Sequence, residues 1–304
     1  MDREAFVAAR RTGVGGSDIA SALGLDPYRT SRELYAIKTG ELPDGDDTRL
    51  TRAGRMMESA IADLYALEYG VTLRKKHVAV ACPQCPIIHA NVDRLIVGQR
   101  AGLECKNVDS MVHRMGGEWG EPETDMVPMR YLLQSLTYAM CFDYPVWYIG
   151  ALVGGNDLKR YVIRRDAELE ALIVDGVVDF WSHVDRREPP PLDYTHPAAL
   201  RFLKRLYPGT NGETITLDAD ALHWHAVGMQ ADERAKHYEA VSNGARAHLL
   251  DMVGPNAVGL LPDGSGSYRR KEVARKGYEV APTTYMDFRF VKPKGGSDER
   301  VAGC

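Results

Sequence analysis

The chain has no run of about 18 apolar residues, so no segment reads as a helix able to span a bilayer, and no membrane partner is expected. Its opening, Met1-Asp-Arg-Glu-Ala-Phe, lacks the basic and apolar regions of a secretory signal, which points to the cytoplasm. Cysteine is scarce. Five residues, an odd number in a long chain without an export signal, fit reduced thiols better than a disulfide framework. A basic surplus is absent as well: the formal net charge is −4. That argues against a passive, sequence-independent nucleic-acid binder, which depends on a basic surface for counterion release. It does not exclude an enzyme whose acidic groups hold a cation that restores local positive potential. No internal repeat is found. The 304 residues, 44% of them hydrophobic, suffice for one large domain with a real core plus a smaller appendage.

The most informative stretch runs from His89-Ala-Asn-Val-Asp93 to Gly102-Leu-Glu104-Cys-Lys106. Residues 87–97 are β-branched and apolar enough for a strand, Gly98 to Gly102 supplies a turn, and Leu103 to Val108 reads as the return strand. Glu104 and Lys106, two apart, share a face, and a turn centred near Gln99 sets Asp93 opposite Lys106. A one-residue slip would spoil the arrangement. Two carboxylates with phosphate and water as further ligands suit a hard divalent ion such as Mg²⁺. A lysine beside them can stabilise charge that develops on an attacking oxygen or on a phosphate in the transition state. Taken alone, Glu-x-Lys on an exposed strand is an ordinary solvated ion pair worth about 0–1 kcal/mol, so the assignment needs support from elsewhere.

That support is a series of motifs in fixed order. Arg10-Arg-Thr-Gly-Val-Gly-Gly-Ser17 leads to Asp26-Pro-Tyr and Ser31-Arg-Glu-Leu-Tyr, then to Gly54-Arg-Met-Met-Glu58, Ala90-Asn-Val-Asp93, Leu103-Glu-Cys-Lys106 and Gln134-Ser-Leu-Thr-Tyr138. With these the chain resembles the YqaJ-like viral recombinases, relatives of lambda exonuclease within the PD-(D/E)xK nucleases. The resemblance covers residues 3 to about 187 with specific motifs and extends more loosely to about Val291.

It implies an α/β fold with a restriction-endonuclease-like core, a mixed β-sheet flanked by helices, and a smaller, mostly helical carboxy-terminal unit. It also implies a Mg²⁺-dependent exonuclease, with Mn²⁺ able to substitute, that digests one strand of linear duplex DNA from its 5′ end. Such an enzyme is phage- or prophage-encoded, acts in a bacterial host, and often lies beside a single-strand-annealing protein. The resembled lambda exonuclease is a closed trimer, so a homo-oligomer with cyclic symmetry, and a trimer among the options, is expected here.

Carried over residue by residue, the resemblance makes Asp93 and Glu104 metal ligands, with Glu58 a further carboxylate at the same site. Lys106 then activates water or stabilises the transition state, and Gln134 and Tyr138, four apart on one helix face, act at the nucleophile or substrate. Read from pattern alone, Glu58 is more simply a boundary residue beside the apolar stripe of Met57, Ile61 and Leu64. Ser17 reads equally as a helix N-cap, while the backbone N–H groups of the Gly13 to Ser17 turn suit a phosphate. In the family an arginine lies near the 5′-phosphate, which by counting back from Ser17 is Arg10, with Arg11 its neighbour. Cys82-Pro-Gln-Cys85 is half of a zinc knuckle without a second half, and structural thiols are the better account of it. Two other functions remain in view: a DNA-end-binding scaffold with a vestigial nuclease site, against which the intact carboxylate and lysine set argues, and a site-specific endonuclease on the same fold, which needs a base-reading element.

The rest of the chain sets expectations for architecture. Gly16 to Leu23 reads as a short helix stopped by Gly24, and Thr30-x-x-Glu33 as a capping box opening a helix closed by Gly40. Leu50 to Tyr69 is helical and ends on Gly70; Val71 to Val80 is a strand. Pro128 suits the first turn of a helix to Cys141. Strands Val146 to Val153 and Leu158 to Ile163 flank Gly154-Gly-Asn-Asp157, and Asp166 to about Arg187 is a helix. The run Pro189-Pro-Pro191 marks a boundary. The expected domains are a nuclease domain over 1–188, a linker over 189–195, an accessory domain over 196–292 and a loose tail over 293–304. The accessory domain holds helices near 197–206 and 219–252 and strand candidates near 267–272 and 284–291.

Overall fold

The structure is a computed structural model that describes residues 12–44 and 48–274. Its centre is a five-stranded sheet of β2 (Leu73–Arg74), β5 (Arg94–Ile96), β6 (Ala101–Val108), β7 (Val146–Val153) and β8 (Asp157–Arg164), in that spatial order. Only β6 and β7 pair in parallel; the other pairs are antiparallel, so the sheet is mixed. A second sheet sets β4 (Ile88–Ala90) between β1 (Val14–Gly15) and β3 (Val80–Ala81). The expected strand 71–80 is therefore two short pieces in different sheets, and the expected strand 87–97 is likewise broken. In both, the polar residues between the pieces (Lys75 to His77, and Asn91 with Asp93) interrupt the apolar run that carries a continuous strand.

Helices cover both faces of the large sheet. Helix α1 (Ile19–Ala22) follows a 3₁₀ turn over Gly16–Asp18, and α2 (Ser31–Thr39) starts at Thr30, whose hydroxyl accepts from the Glu33 amide at 3.0 Å. Glu33 does not close the capping box; its carboxylate turns to Arg205. Helix α3 (Arg49–Tyr69) ends on Gly70 at φ 62°, as its sequence requires. It packs on β6 and β7, where Ile61, Tyr65 and Leu103 approach Gly150. After α4 (Ser110–Met115) comes α5 (Met129–Phe142), with Pro128 just before its first residue, and then α6 (Ala167–Arg186), capped by Asp166. Helix α5 lies against the opposite face of β7: Tyr138 and Trp147 have ring centres 5.5 Å apart, and Trp147 is fully buried. Gly102 is needed here, because a Cβ would stand 2.2 Å from the Trp147 ring. Cys82, Cys85 and Cys141 are buried in this same core.

The chain divides into two compact units, Met1–Pro208 and Gly209–Cys304. The proline run does not end the first. Beyond it, α7 (Ala199–Leu206) buries Phe202 and Ala199, with Leu192, against Ala36, Ile37 and Leu42, and Arg205 pairs with Glu33. A polyproline spacer lacks internal hydrogen bonds but can lie against a core as readily as leave one, so the boundary falls near Pro208 rather than at 189–195. The second unit holds α8 (Asp220–Val253) and a two-stranded antiparallel sheet of β9 (Val258–Leu260) and β10 (Ser267–Arg269). The sequence pattern did not single out β9. The strand candidate 284–291 and the tail 293–304 lie outside the described residues, as does Arg10.

Candidate active site

Strand alternation puts the chemistry on one face. The register Arg94↔Leu103 makes Asp93, at the entry of β5, level with Glu104 instead of Lys106. The turn is centred one residue earlier than expected, which moves the register by two, and an even shift keeps every side chain on its own face. Asp93 Oδ2 accepts from the Cys105 amide at 2.8 Å, locking the two strands together at this level.

Glu104 is the hub. Its Oε1 accepts from Lys106 Nζ at 2.7 Å and from Gln134 Nε2 at 2.8 Å. Lys106 also donates to Gln134 Oε1 at 3.0 Å, and Gln134 Nε2 lies 3.0 Å from the Tyr138 hydroxyl, which accepts from it. Thus α5 delivers Gln134 and Tyr138, one turn apart, onto the face presented by β6. Burial lowers the pKa of Lys106, but Glu104, Tyr131 and Asp93 outweigh it and the net shift is upward, so the ammonium form is favoured. Burial, then Glu104, raises Tyr138 far above the ordinary phenol range, so it stays neutral. Burial and the neighbouring charges of Glu104 and Glu58 push Asp93 up to about 8.

Glu58 reaches this cluster from the other side. Successive strand residues point to opposite faces, so Arg94 faces α3 while Asp93 faces α5. Glu58 on α3 meets Arg94, whose Nη1 lies 2.5 Å from Glu58 Oε1 and also donates to the Asp93 carbonyl at 2.7 Å. The sequence reading missed Arg94; its signal was a cation directly after Asp93 at the head of an apolar run. It also missed Tyr131, one helical turn before Gln134, whose ring centre lies 4.5 Å from Lys106 Nζ.

The glycine-rich turn sits against the site. A Cβ on Gly16 would lie 2.3 Å from the Tyr138 ring, so only glycine permits this approach. Ser17 is exposed within the 3₁₀ turn and caps neither it nor α1: Gly15 and Asp18 precede the two, without side-chain cap bonds. Asp18, fully buried, is held by Lys38 at 2.9 Å and Arg29 at 2.7 Å.

Among the described residues no three candidate ligands are drawn together around a common point; Lys106 and Arg94 each take an oxygen of a carboxylate instead. The donor set nevertheless fits a hard cation. Glu104 Oε2 is buried without a hydrogen-bond partner, and three carboxylates lie near enough for Glu104 and Glu58 to raise the pKa of Asp93. An orphaned buried carboxylate oxygen is costly unless a cation completes it.

The sheet order and its flanking helices define a mixed α/β protein with a restriction-endonuclease-like core. The fold is shared with LHK-Exo, the alkaline exonuclease from Laribacter hongkongensis: its structure in complex with dAMP aligns with TM-score 0.50 at 20% identity, covering 66% of this chain and 96% of that one. A second LHK-Exo structure aligns at 0.49 and 18% identity, covering 60% and 93%. Residues 5–145 match the profile of the YqaJ-like viral recombinase domain. The Bacillus subtilis (strain 168) protein YqaJ is 34% identical over 224 residues, 72% of this chain and 68% of that protein. The chain belongs to the YqaJ-like viral recombinase family.

Proposed function

We propose that the protein is a metal-dependent deoxyribonuclease, an exonuclease that digests linear double-stranded DNA from the 5′ end in phage-type recombination. The observation that carries this is the joined group of Asp93, Glu104, Lys106 and Gln134, with the buried Glu104 Oε2 left for a cation. Asp93 and Glu104, assisted by Glu58, would hold Mg²⁺ or, in its place, Mn²⁺, leaving part of the coordination sphere to water and phosphate. Bound there, a divalent ion supplies Lewis-acid polarisation of the phosphate and a more acidic water.

The protein's own groups do the rest. Water attacks phosphorus in line, the P–O3′ bond breaks, and the departing O3′ takes a proton. Lys106 is fixed by Glu104 and Gln134 so that its ammonium faces the charge that builds on the phosphoryl oxygens. Gln134 orients Lys106 and Glu104 together, and Tyr138, neutral and buried, holds Gln134. The 3₁₀ turn that opens at Gly16 and Ser17, packed through Gly16 on Tyr138, would offer its backbone N–H groups and the Ser17 hydroxyl to a terminal 5′-phosphate, with Arg10 as its charged partner. The expected Gly13 to Ser17 turn is shortened to this, because the Val14 amide already donates to the Ile87 carbonyl at 2.8 Å where β1 pairs with β4. Residues 1–208 form the nuclease domain and the second unit an accessory one. The partners are duplex ends, an annealing protein, and copies of the chain itself in a cyclic oligomer within the bacterial cytoplasm.

The test uses end-labelled linear duplex and a supercoiled circle of the same sequence, with Mg²⁺ and with EDTA. Release of labelled mononucleotide from the linear substrate alone, abolished by EDTA, is expected. Cleavage of the circle at fixed positions would favour a site-specific endonuclease, and binding of ends without hydrolysis a scaffold.

A further inference from the structure

Arg130 stands at the start of α5, beside the reaction centre, and is held in an unusual way. Its guanidinium carbon lies 4.6 Å from the ring centre of Tyr28 and 4.6 Å from that of Tyr131, and Nη2 donates to the Tyr131 hydroxyl at 3.1 Å. Tyr28 comes from the Asp26-Pro27-Tyr28 turn, fixed by its own amide donating to Asp26 Oδ1 at 2.9 Å and by Arg201 on its carbonyl.

Aromatic faces orient a guanidinium without neutralising it. Other arginines around the sheet and turn meet carboxylates: Arg29 meets Asp18, Arg94 meets Glu58, Arg160 meets Glu123 and Arg165 meets Glu170. Among the described residues Arg130 meets none. Yet it is half-buried, and a partly desolvated cation is poorly satisfied until an anion reaches it. The position says which anion. Tyr131 carries Lys106 over its ring as well as Arg130, so the two cations share one aromatic side chain and Arg130 stands beside the lysine of the reaction centre.

We propose that Arg130 binds a backbone phosphate of the substrate strand next to the phosphate that reacts over Lys106, and that Tyr28 and Tyr131 are positioning residues holding the guanidinium for it. The inference rests on the nuclease reading for its substrate, but the binding it describes is measurable without turnover.

The experiment compares wild type, Arg130→Gln, Arg130→Lys and Tyr28→Ala, each first shown to melt as wild type does. Affinity for a labelled duplex oligonucleotide is measured in EDTA over a range of salt, and KM and kcat with Mg²⁺. Loss of a charge-assisted phosphate contact predicts about ten- to a hundredfold weaker binding for Arg130→Gln, with a similar rise in KM and kcat within about threefold. The slope of log affinity against log salt should fall by about one. Arg130→Lys should keep the slope and recover part of the affinity. Tyr28→Ala should weaken binding severalfold with the slope unchanged, and it carries the test if Arg130→Gln does not fold. Wild-type affinity and slope in Arg130→Gln, with cleavage intact, would overturn the clamp and leave the nuclease reading standing. Arg130-dependent binding without cleavage by wild type would keep the clamp and remove the nuclease. No duplex binding in EDTA together with no cleavage in Mg²⁺ by wild type would end both.

Discussion

Asp93 ties the chemistry of single residues to a measurable property of the whole chain. Its pKa is raised from 3.8 to about 8 by burial and by Glu104 and Glu58. The folded protein therefore holds a proton that the unfolded chain has lost over the window from about pH 4 to 8, and stability falls as pH rises through it. The metal-free protein should lose melting temperature across that window. Asp93→Asn should make the fall shallower, and Mg²⁺ should recover the loss at the alkaline end, because ligand binding to the folded state stabilises it. A melting temperature independent of pH, or unmoved by Mg²⁺ at pH 8, would contradict the site. At Lys106 the expectation is kinetic. Lys106→Met should cost about a hundred- to a thousandfold in kcat, the size seen when one preorganised transition-state donor is removed, with duplex affinity little changed. Single-turnover cleavage set beside binding in EDTA separates the two.

At the scale of elements, close approaches decide most. The glycine-rich turn reaches the site only because Gly16 lets Tyr138 pack on its backbone. Gly16→Ala should displace Tyr138 and with it Gln134, lowering kcat by about tenfold or more and, since Tyr138 is itself a buried core ring, costing about 1–3 kcal/mol of stability as well. Gly102→Ala forces a Cβ into Trp147 in the core, and overpacking of that kind costs about 1–3 kcal/mol, which denaturant unfolding would register. These contrasts also mark what a sequence can reveal. Strands β7 and β8, the glycine hairpin between them, and helices α3, α5 and α6 were legible because apolar periodicity and their end residues agreed. The short strands β2 to β5 were not, since two or three residues carry no period and their pairing is set by distant segments. The face shared by Asp93, Glu104 and Lys106 was legible and its register was not: a two-residue shift conserves the face, so alternation alone cannot fix it. The roles of Arg94, Tyr28 and Tyr131 were not legible, although Arg94 directly follows Asp93 and Tyr28 stands in the Asp26-Pro-Tyr motif, because those roles lie in contacts between elements.

For the molecule as a whole, the division near Pro208 gives a direct stability test. Phe202 is fully buried among residues of the first unit, so Phe202→Ala should destabilise that unit by about 3–5 kcal/mol. If the accessory region began at 196, the nuclease unit would not register the change. The proposed cyclic oligomer predicts a light-scattering mass that is a small multiple of the chain, and a monomer that digests long duplexes processively would remove the ring. The central claim is that Asp93, Glu104 and Lys106 form a metal-dependent nuclease site. It is tested most directly by following mononucleotide release from 5′-phosphorylated linear duplex by wild type and Glu104→Gln, with Mg²⁺ and with EDTA. Release by wild type with Mg²⁺ only, and none by a folded Glu104→Gln under either condition, is the predicted result; equal release by both proteins, or release that persists in EDTA, would contradict it.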